Sequence, residues 1–533
     1  MSKQFSWAKA PKKIDESLIQ TEYEADLVII GAGHAGTCAA RAATEEGASV
    51  IVLEQQEEKT QRILGIGEIG HINSKWQASH NIPKVDIDTF VNDWQLRTNN
   101  RSNVKLIKKY AEECGACFDW FIEPLTKEEV AQIRPGLTPP SPHMPKSLNG
   151  IHAWSGTPYM GMLLMIKTVK ENQRIAKEKG AKFYYGVKAA QIDTDEKGNV
   201  IGVVGQTKEG AYYRYKANKG VLIAAGDYSK NQEMCEDLLV EASDLISEGD
   251  WSGHGWDGSG IRLGMHAGGR LEPRSHAAAG GNYSFPGFDL IGSTATLRVN
   301  KHGKRYSNEG FGNHILAALA GAKQPNGMLY GIFDSRIYEQ LEYQVNNNGV
   351  FDYTDPERMK DLKDTLEAVS NQKGQPYMHK YIDGGIRPVW CADTLEDLAK
   401  QLFETIEDRQ TFLQEVTRYN ELCYQGKDED FGKEKVLMFP IDNPPFYASG
   451  VVKDSHIPGG QSLKILVTVS GLLIDENQQV LGSDFEPIHG LYATGNSSGC
   501  RFGLEYSTSV AGQSISMAQT LGREVGKYIS KLK

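Results

Sequence analysis

Asp26-Leu-Val-Ile-Ile30 runs straight into Gly31-Ala-Gly33-His-Ala-Gly36, and Ser49-Val-Ile-Val-Leu-Glu54 follows. An apolar strand, a G-x-G-x-x-G turn, a helix expected over Thr37–Glu46, a second apolar strand and a terminal carboxylate are the parts of a dinucleotide-binding βαβ unit. Gly31 permits the sharp turn, Gly33 lets backbone approach a pyrophosphate, and Gly36 lets the helix pack close to the sheet. The helix N-terminus offers its unpaired N–H groups to the phosphates. Glu54 is placed to accept hydrogen bonds from both hydroxyls of an adenosine ribose, and it would repel a ribose 2′-phosphate. The fingerprint alone leaves open both the choice between a flavin and a nicotinamide dinucleotide and the reaction.

The 533 residues and 40% hydrophobic content support two or three domains with sizeable cores. A net charge of −10 argues against a nucleic-acid partner. No run approaches the ~18 apolar residues of a membrane span, and Met1-Ser-Lys-Gln-Phe-Ser-Trp7 lacks the apolar core of a signal peptide, so the expected compartment is the cytoplasm. Seven scattered cysteines do not make a disulfide framework. The close pair Cys114-Gly-Ala-Cys117 falls in an amphipathic helix expected over Val104–Phe121 and reads as core rather than as a redox or metal motif. With no haem or iron–sulfur motif, electrons must come from outside the chain.

Residues 1–23 are polar and read as an N-terminal extension. The pattern implies an α/β fold in which a Rossmann-like dinucleotide domain over 24–272 is interrupted by an α+β capping domain over 273–449 and completed by 450–533. In the first part, Leu64-Gly-Ile-Gly-Glu-Ile-Gly-His-Ile-Asn73 is a loop able to bring backbone to a ligand. A helix is expected within Thr157–Lys179 and a strand from Lys182. Turns at Asp195-Glu-Lys-Gly-Asn199 and Lys208-Glu-Gly-Ala211 mark an antiparallel meander. Gly220-Val-Leu-Ile-Ala-Ala-Gly-Asp227 is a strand ending on small residues, with a helix starting at Asn231. The cap carries a charged helix over Thr394–Thr417. Strands are expected at Gly471–Asp475 and Gly490–Gly495, and a terminal helix at Ala511–Lys531.

Four segments together resemble the flavoprotein family of fumarate reductase, succinate dehydrogenase and 3-ketosteroid Δ1-dehydrogenase. They are Val28–Glu54, Gly220–Asn231, Val299-Asn-Lys-His-Gly-Lys-Arg-Tyr-Ser-Asn-Glu309 and Gly471–Gly522, the last holding Gly490-Leu-Tyr-Ala-Thr-Gly-Asn-Ser-Ser-Gly499 and Ala511-Gly-Gln-Ser-Ile-Ser516. The resemblance implies FAD as cofactor, touched by Gly31, Gly33, His34, Ala35, Gly36, Glu54, Gln55, Gly70, Val187, Ala225, Gly226, Gly495, Asn496, Ser509 and Val510. It implies that the terminal helix aims its N-terminus at the flavin N1 and C2 oxygen, where the helix dipole stabilises the anionic reduced form. Asn496 stands where the family usually has a Glu. Leu64 stands where succinate dehydrogenases have their flavin-linking His, so the FAD is expected to be non-covalent.

The chain departs from the fumarate reductases at the substrate. Asn313 stands at the place of their proton-delivering Arg, Ser509 near that of a clamping Arg, and Leu466 and Val467 where a carboxylate-binding His is expected. His276 alone matches a cap-domain substrate His by spacing. A buried dicarboxylate lacking two cationic partners would lose several kcal/mol. The expected substrate is therefore an activated C=C bond, an enone on a steroid-like or polycyclic aromatic scaffold, and the expected enzyme is an ene-reductase or dehydrogenase. Tyr506 is the candidate acid, because ketosteroid dehydrogenases use tyrosines so; His314 is an alternative. No second G-x-G-x-x-G is read for a nicotinamide nucleotide, so an external electron-donor protein or reduced carrier is expected. Two other readings stand beside this one: a flavin oxidase or dehydrogenase acting on C–N or C–OH bonds, and a non-catalytic flavin redox sensor.

Overall fold

The computed structural model describes residues 5–533 apart from 66, 136–146, 149–150, 153, 155, 241–242, 248–250, 280–293, 312–323, 326–328, 342, 344–355, 381–385, 452–462, 505 and 507. The first strand spans Ile19–Ile30 and the second Val50–Glu54, with the helix His34–Glu45 between them. Parallel pairing joins them to Lys182–Tyr185 on one side and to Tyr212–Ile223 and Pro487–Ala493 on the other. Gln479–Leu481 closes that edge antiparallel, and the meander strands Val187–Thr194 and Val200–Thr207 fold back on Tyr212–Ile223.

Successive side chains of a strand point to opposite faces, so a strand covered on both sides must be apolar throughout. Leu27, Ile29, Val50, Val52 and Leu222 accordingly pack with Ala35, Ala39, Ala43, Val525 and Ile529. Val28, Ile30, Ile51, Leu53, Val221 and Ile223 build the core on the other face. The first helix and the terminal helix, Gln513–Ser530, cross very closely: a Cβ on Gly522 would lie 2.4 Å from the Ala35 carbonyl oxygen, and one on Gly526 2.5 Å from that of Ala39. The N- and C-terminal parts of the dinucleotide fold are thereby one packed unit.

Helix Val104–Ile122 is capped by Asn103, whose side chain accepts from the N–H groups of Lys105 and Leu106. Cys114 and Cys117 lie in its buried face, and burial pushes both thiols up to about 12. Among the described residues no helix is long and apolar enough to cross a membrane.

A separate antiparallel five-stranded sheet has the order Leu297–Asn300, Leu329–Asp334, Phe446–Val451, Ile386–Ala392, Tyr377–Lys380. The single helix expected over Thr394–Thr417 is two, Leu395–Leu402 and Ile406–Gln425. Thr405 breaks it by turning its hydroxyl to the N–H of Asp408 as an N-cap. Gly471–Asp475 also differs from expectation. It is not a ladder strand but a connector that makes single bridges to Leu271, Ser498 and Val480, with Leu472 N–H bonded to Ser497 O and Leu473 N–H to Arg270 O. Arg305 pairs with Glu309 at 2.9 Å and Asp428 at 2.7 Å, and Lys433 lies 3.4 Å from Glu309. Burial pushes the Glu309 carboxyl up, but Lys433 and Arg305 more than offset it, so four buried charges cancel and fix the Val299–Glu309 segment.

Candidate functional site

Gly31 has φ +103, and a Cβ there would lie 2.5 Å from the Ala224 carbonyl oxygen, so turn and sheet together demand glycine. Gly36 is needed for contact alone: its Cβ would lie 1.9 Å from Gly31 O. Gly33 is different. Its backbone is extended, and a Cβ would meet nothing within 4 Å. That open space borders the first helical turn, where the N–H groups of His34, Ala35 and Gly36 have no intrahelical acceptor, and it fits a pyrophosphate. The His34 side chain plays a different part. Nε2 meets Leu64 O at 3.0 Å and Nδ1 meets Gln519 Nε2 at 3.1 Å, and burial pushes its pKa down to about 4, so it is a neutral tie between the two helices.

Glu54 is buried at the end of its strand, accepting from Ala32 N–H at 3.0 Å through Oε2 and from Gln56 N–H at 2.9 Å through Oε1. These bonds fix the carboxylate, and each oxygen keeps a lone pair for a ribose hydroxyl. Gln55 beside it is exposed. Val187 is buried at the start of the meander. Past Tyr212–Ile223, half-buried Ala225 leads to Gly226 (φ +85), whose carbonyl accepts from Ser497 Oγ at 2.8 Å. Gly495 (φ +60) approaches the first helix, its Cβ position 3.1 Å from the Ala35 methyl.

The opposite end of the site is the turn into the terminal helix. Gly70 and Gly512 bring two backbones together: a Cβ on Gly70 would lie 2.1 Å from Ala511 O, and one on Gly512 2.4 Å from Glu68 O. The turn's carbonyls are already bonded: Trp154 N–H donates to Ser509 O at 3.0 Å, Arg97 Nη1 to Thr508 O at 3.1 Å, and Thr157 Oγ1 to Ala511 O at 3.3 Å. The buried hydroxyls of Thr508 and Ser509 have no hydrogen-bond partner among the described residues, and Val510 is buried beside them. Buried orphan hydroxyls next to a helix N-terminus fit the polar edge of a flavin.

Tyr506 belongs to the same cluster. It is 9% exposed, and its hydroxyl accepts from Ser514 N–H at 2.8 Å in the first turn of the terminal helix. Ser514 Oγ reaches Asn496 Oδ1 at 3.2 Å, and Asn496 Oδ1 also accepts from Arg501 Nη2 at 3.1 Å. Burial pushes the Tyr506 phenol well above its ordinary range, with the Ser514 N–H and Arg501 acting the other way. Arg501 escaped the sequence reading. Its signal was an arginine amid Asn496-Ser-Ser-Gly-Cys-Arg501-Phe-Gly503 with no carboxylate in the run.

The remaining expectations fare as follows. His276 is buried with both ring nitrogens engaged, Nδ1 with Tyr228 OH at 2.9 Å and Nε2 with Glu272 O at 3.1 Å. His314 and Asn313 lie outside the described residues. His71 is also saturated, Nδ1 with Ile69 O at 3.0 Å and Nε2 with Ser74 Oγ at 2.8 Å. Against expectation, Gly65, Gly67 and Gly70 repeat the G-x-G-x-x-G spacing, but among the described residues no strand leads into the stretch and no long helix leaves it, so it is not a second nucleotide unit.

The chain is similar to known proteins. The chain is 23% identical over 520 residues to vinyl phenol reductase of Lactiplantibacillus plantarum, covering 95% of this chain and 96% of that protein. It is 25% identical over 514 residues to fumarate reductase (cytochrome) of Shewanella frigidimarina, covering 95% of this chain and 77% of that one. The fold matches 3-ketosteroid-Δ4-(5α)-dehydrogenase from Rhodococcus jostii with a TM-score of 0.66 at 20% identity, over 96% of this chain and 98% of that one. The FAD binding domain family matches residues 26–507, which settles the choice between flavin and nicotinamide. The chain belongs to the FAD binding domain family and is a FAD-dependent oxidoreductase.

Proposed function

We propose that this flavoprotein exchanges a hydride with an activated carbon–carbon double bond on an uncharged or singly charged substrate, an enone on a steroid-like or polycyclic aromatic scaffold. The observation that carries this reading is Tyr506. Its hydroxyl oxygen accepts from the Ser514 N–H, and among the described residues nothing accepts its proton. Bound FAD supplies or removes the hydride through N5. Tyr506 exchanges the proton at the neighbouring carbon, its raised pKa keeping the phenol protonated at neutral pH. A dicarboxylate needs two cationic partners, whereas Ser509 is neutral and the ring of His276 is engaged within the protein. Residues 273–449 serve as the cap over this site. The FAD is non-covalent, Leu64 and the saturated His71 offering it no bond. Reduction is the direction proposed, fed by an external reductase or reduced carrier.

The test is anaerobic. Protein-bound FAD, reduced chemically, is mixed with an enone steroid, 4-vinylphenol or fumarate, and its reoxidation is followed in the visible spectrum. Rapid reoxidation by the enone or the vinylphenol and none by fumarate is expected; rapid reoxidation by fumarate overturns the substrate class. Tyr506→Phe is expected to slow the productive reaction by about 10²–10⁴-fold, the usual contribution of a general acid, with FAD still bound. A parent-like rate would remove Tyr506 from the mechanism.

A further inference from the structure

Arg501 is fully buried, and its partners are all neutral. Nε donates to Ser498 O at 3.2 Å, and Nη2 to Val469 O and to Asn496 Oδ1, each at 3.1 Å. Nη1 has no partner. Glu272 acts on Arg501 through space, but both its oxygens are occupied by backbone donors, Gly471 N–H at 3.1 Å and Cys500 N–H at 2.9 Å, and no ion pair joins it to Arg501. Two other buried guanidinium groups are matched by carboxylates: Arg97 has Asp93 at 2.6 Å, and Arg305 has Glu309 and Asp428. A guanidinium does not shed its proton at neutral pH, and an uncompensated buried charge is retained at considerable cost. Burial pushes the Arg501 pKa down only to about 10, so the charge persists.

Through Asn496 and Ser514 this cation is tied to the first turn of the terminal helix, whose N–H groups also favour negative charge. Two positive features meet at the turn where the flavin's pyrimidine edge would lie. We propose that Arg501 is an electrostatic positioning residue for the cofactor: its charge, which no direct ion pair holds among the described residues, stabilises the anionic two-electron-reduced FAD over the neutral oxidised form and raises the flavin potential. The inference rests on the flavin lying at the terminal helix, and it is independent of the substrate.

The test uses holoprotein without substrate. Dithionite supplies two electrons, solvent supplies the one proton, and a reference dye in equilibrium reports the midpoint potential. Arg501→Gln is expected to weaken the preference for reduced over oxidised FAD by about tenfold or more, a fall of about 30 mV or more for a two-electron couple. Arg501→Lys keeps the charge and is expected to lose less than half of that. A parent-like potential in Arg501→Gln, or an equal fall in Arg501→Lys, overturns the proposal. Should Arg501→Gln fail to hold FAD, Asn496→Glu leaves Arg501 in place and gives it a carboxylate. The potential is then expected to fall, and a parent-like value overturns the proposal. Because no substrate enters, failure of the substrate reading leaves this result untouched.

Discussion

Substituting Gly33 and Gly36 separately should uncouple cofactor binding from folding. Gly33 has φ −76 and ψ −161, backbone that any residue adopts, and a Cβ there meets nothing within 4 Å. In the apoprotein, Gly33→Ala is therefore expected to stabilise by about 0.4–1 kcal/mol, because the unfolded chain loses freedom. The same methyl occupies the space beside the first helical turn. Losing even one charge-assisted N–H bond to a phosphate, worth about 1.5–3 kcal/mol, weakens FAD by roughly 10- to 100-fold. Gly36→Ala is the opposite case. Its Cβ would lie 1.9 Å from Gly31 O, against the roughly 3.3 Å at which a carbon meets a carbonyl oxygen. The helix must retreat from the turn, at an overpacking cost of about 1–3 kcal/mol. Urea unfolding of the apoproteins followed by circular dichroism, with FAD titration by fluorescence quenching, reads both effects. Parent-like FAD affinity in Gly33→Ala would refute the placement of the pyrophosphate, and parent-like stability in Gly36→Ala would refute the tight packing.

Acid should loosen the protein before it loosens its surface ion pairs. Burial holds His34 and His71 down to about 4 and about 3, while the unfolded chain takes up protons near ~6.5, so each contributes stability present above pH ~6.5 and lost as pH falls toward its folded value. Between pH 7 and 5 this predicts a loss of about 2 kcal/mol for each histidine, read as a falling urea midpoint; His34→Gln should remove about half of that slope, and a flat profile contradicts it. Arg97 and Asp93 form a fully buried pair at 2.6 Å that supports the Thr508 carbonyl. Arg97→Met is expected to cost about 3–5 kcal/mol in unfolding free energy, much of it recovered when Asp93 is also made apolar, and a loss under ~1 kcal/mol would mean the pair is not buried in solution.

What the sequence disclosed was what local chemistry encodes. The Gly31–Glu54 unit, the Asn231 cap and the Val104 helix are each specified within a few residues by turn, cap and periodicity, and each stands in the structure. The break at Thr405 was missed because the helical periodicity continues across it, and only the cap bond to Asp408 reveals the stop. Gly471–Asp475 has strand composition, but its backbone donors are claimed by Arg270 and Ser497, partners no local reading identifies. The site divides the same way. Glycines of the cofactor cradle are legible because spacing fixes them. Arg501 was not, because its acceptors Val469 and Ser498 are brought to it by the fold. His276 kept its expected place in the chain, yet Tyr228 and the Glu272 carbonyl hold both its nitrogens.

The hydrogen bond between His34 and Gln519 joins residues 485 positions apart. Its consequence concerns the ribosome. At about 5–20 residues per second, the first helix waits tens of seconds for the segment that covers it. Meanwhile the alanine-rich face of His34–Glu45 and the outer edge of Tyr212–Ile223, later paired with Pro487–Ala493, stay bare in the nascent chain. A chain halted before Pro487 carries an exposed parallel-strand edge and half a cofactor cradle. Such fragments are expected to aggregate or engage chaperones, and FAD capture should be a late event that follows the terminal helix into place.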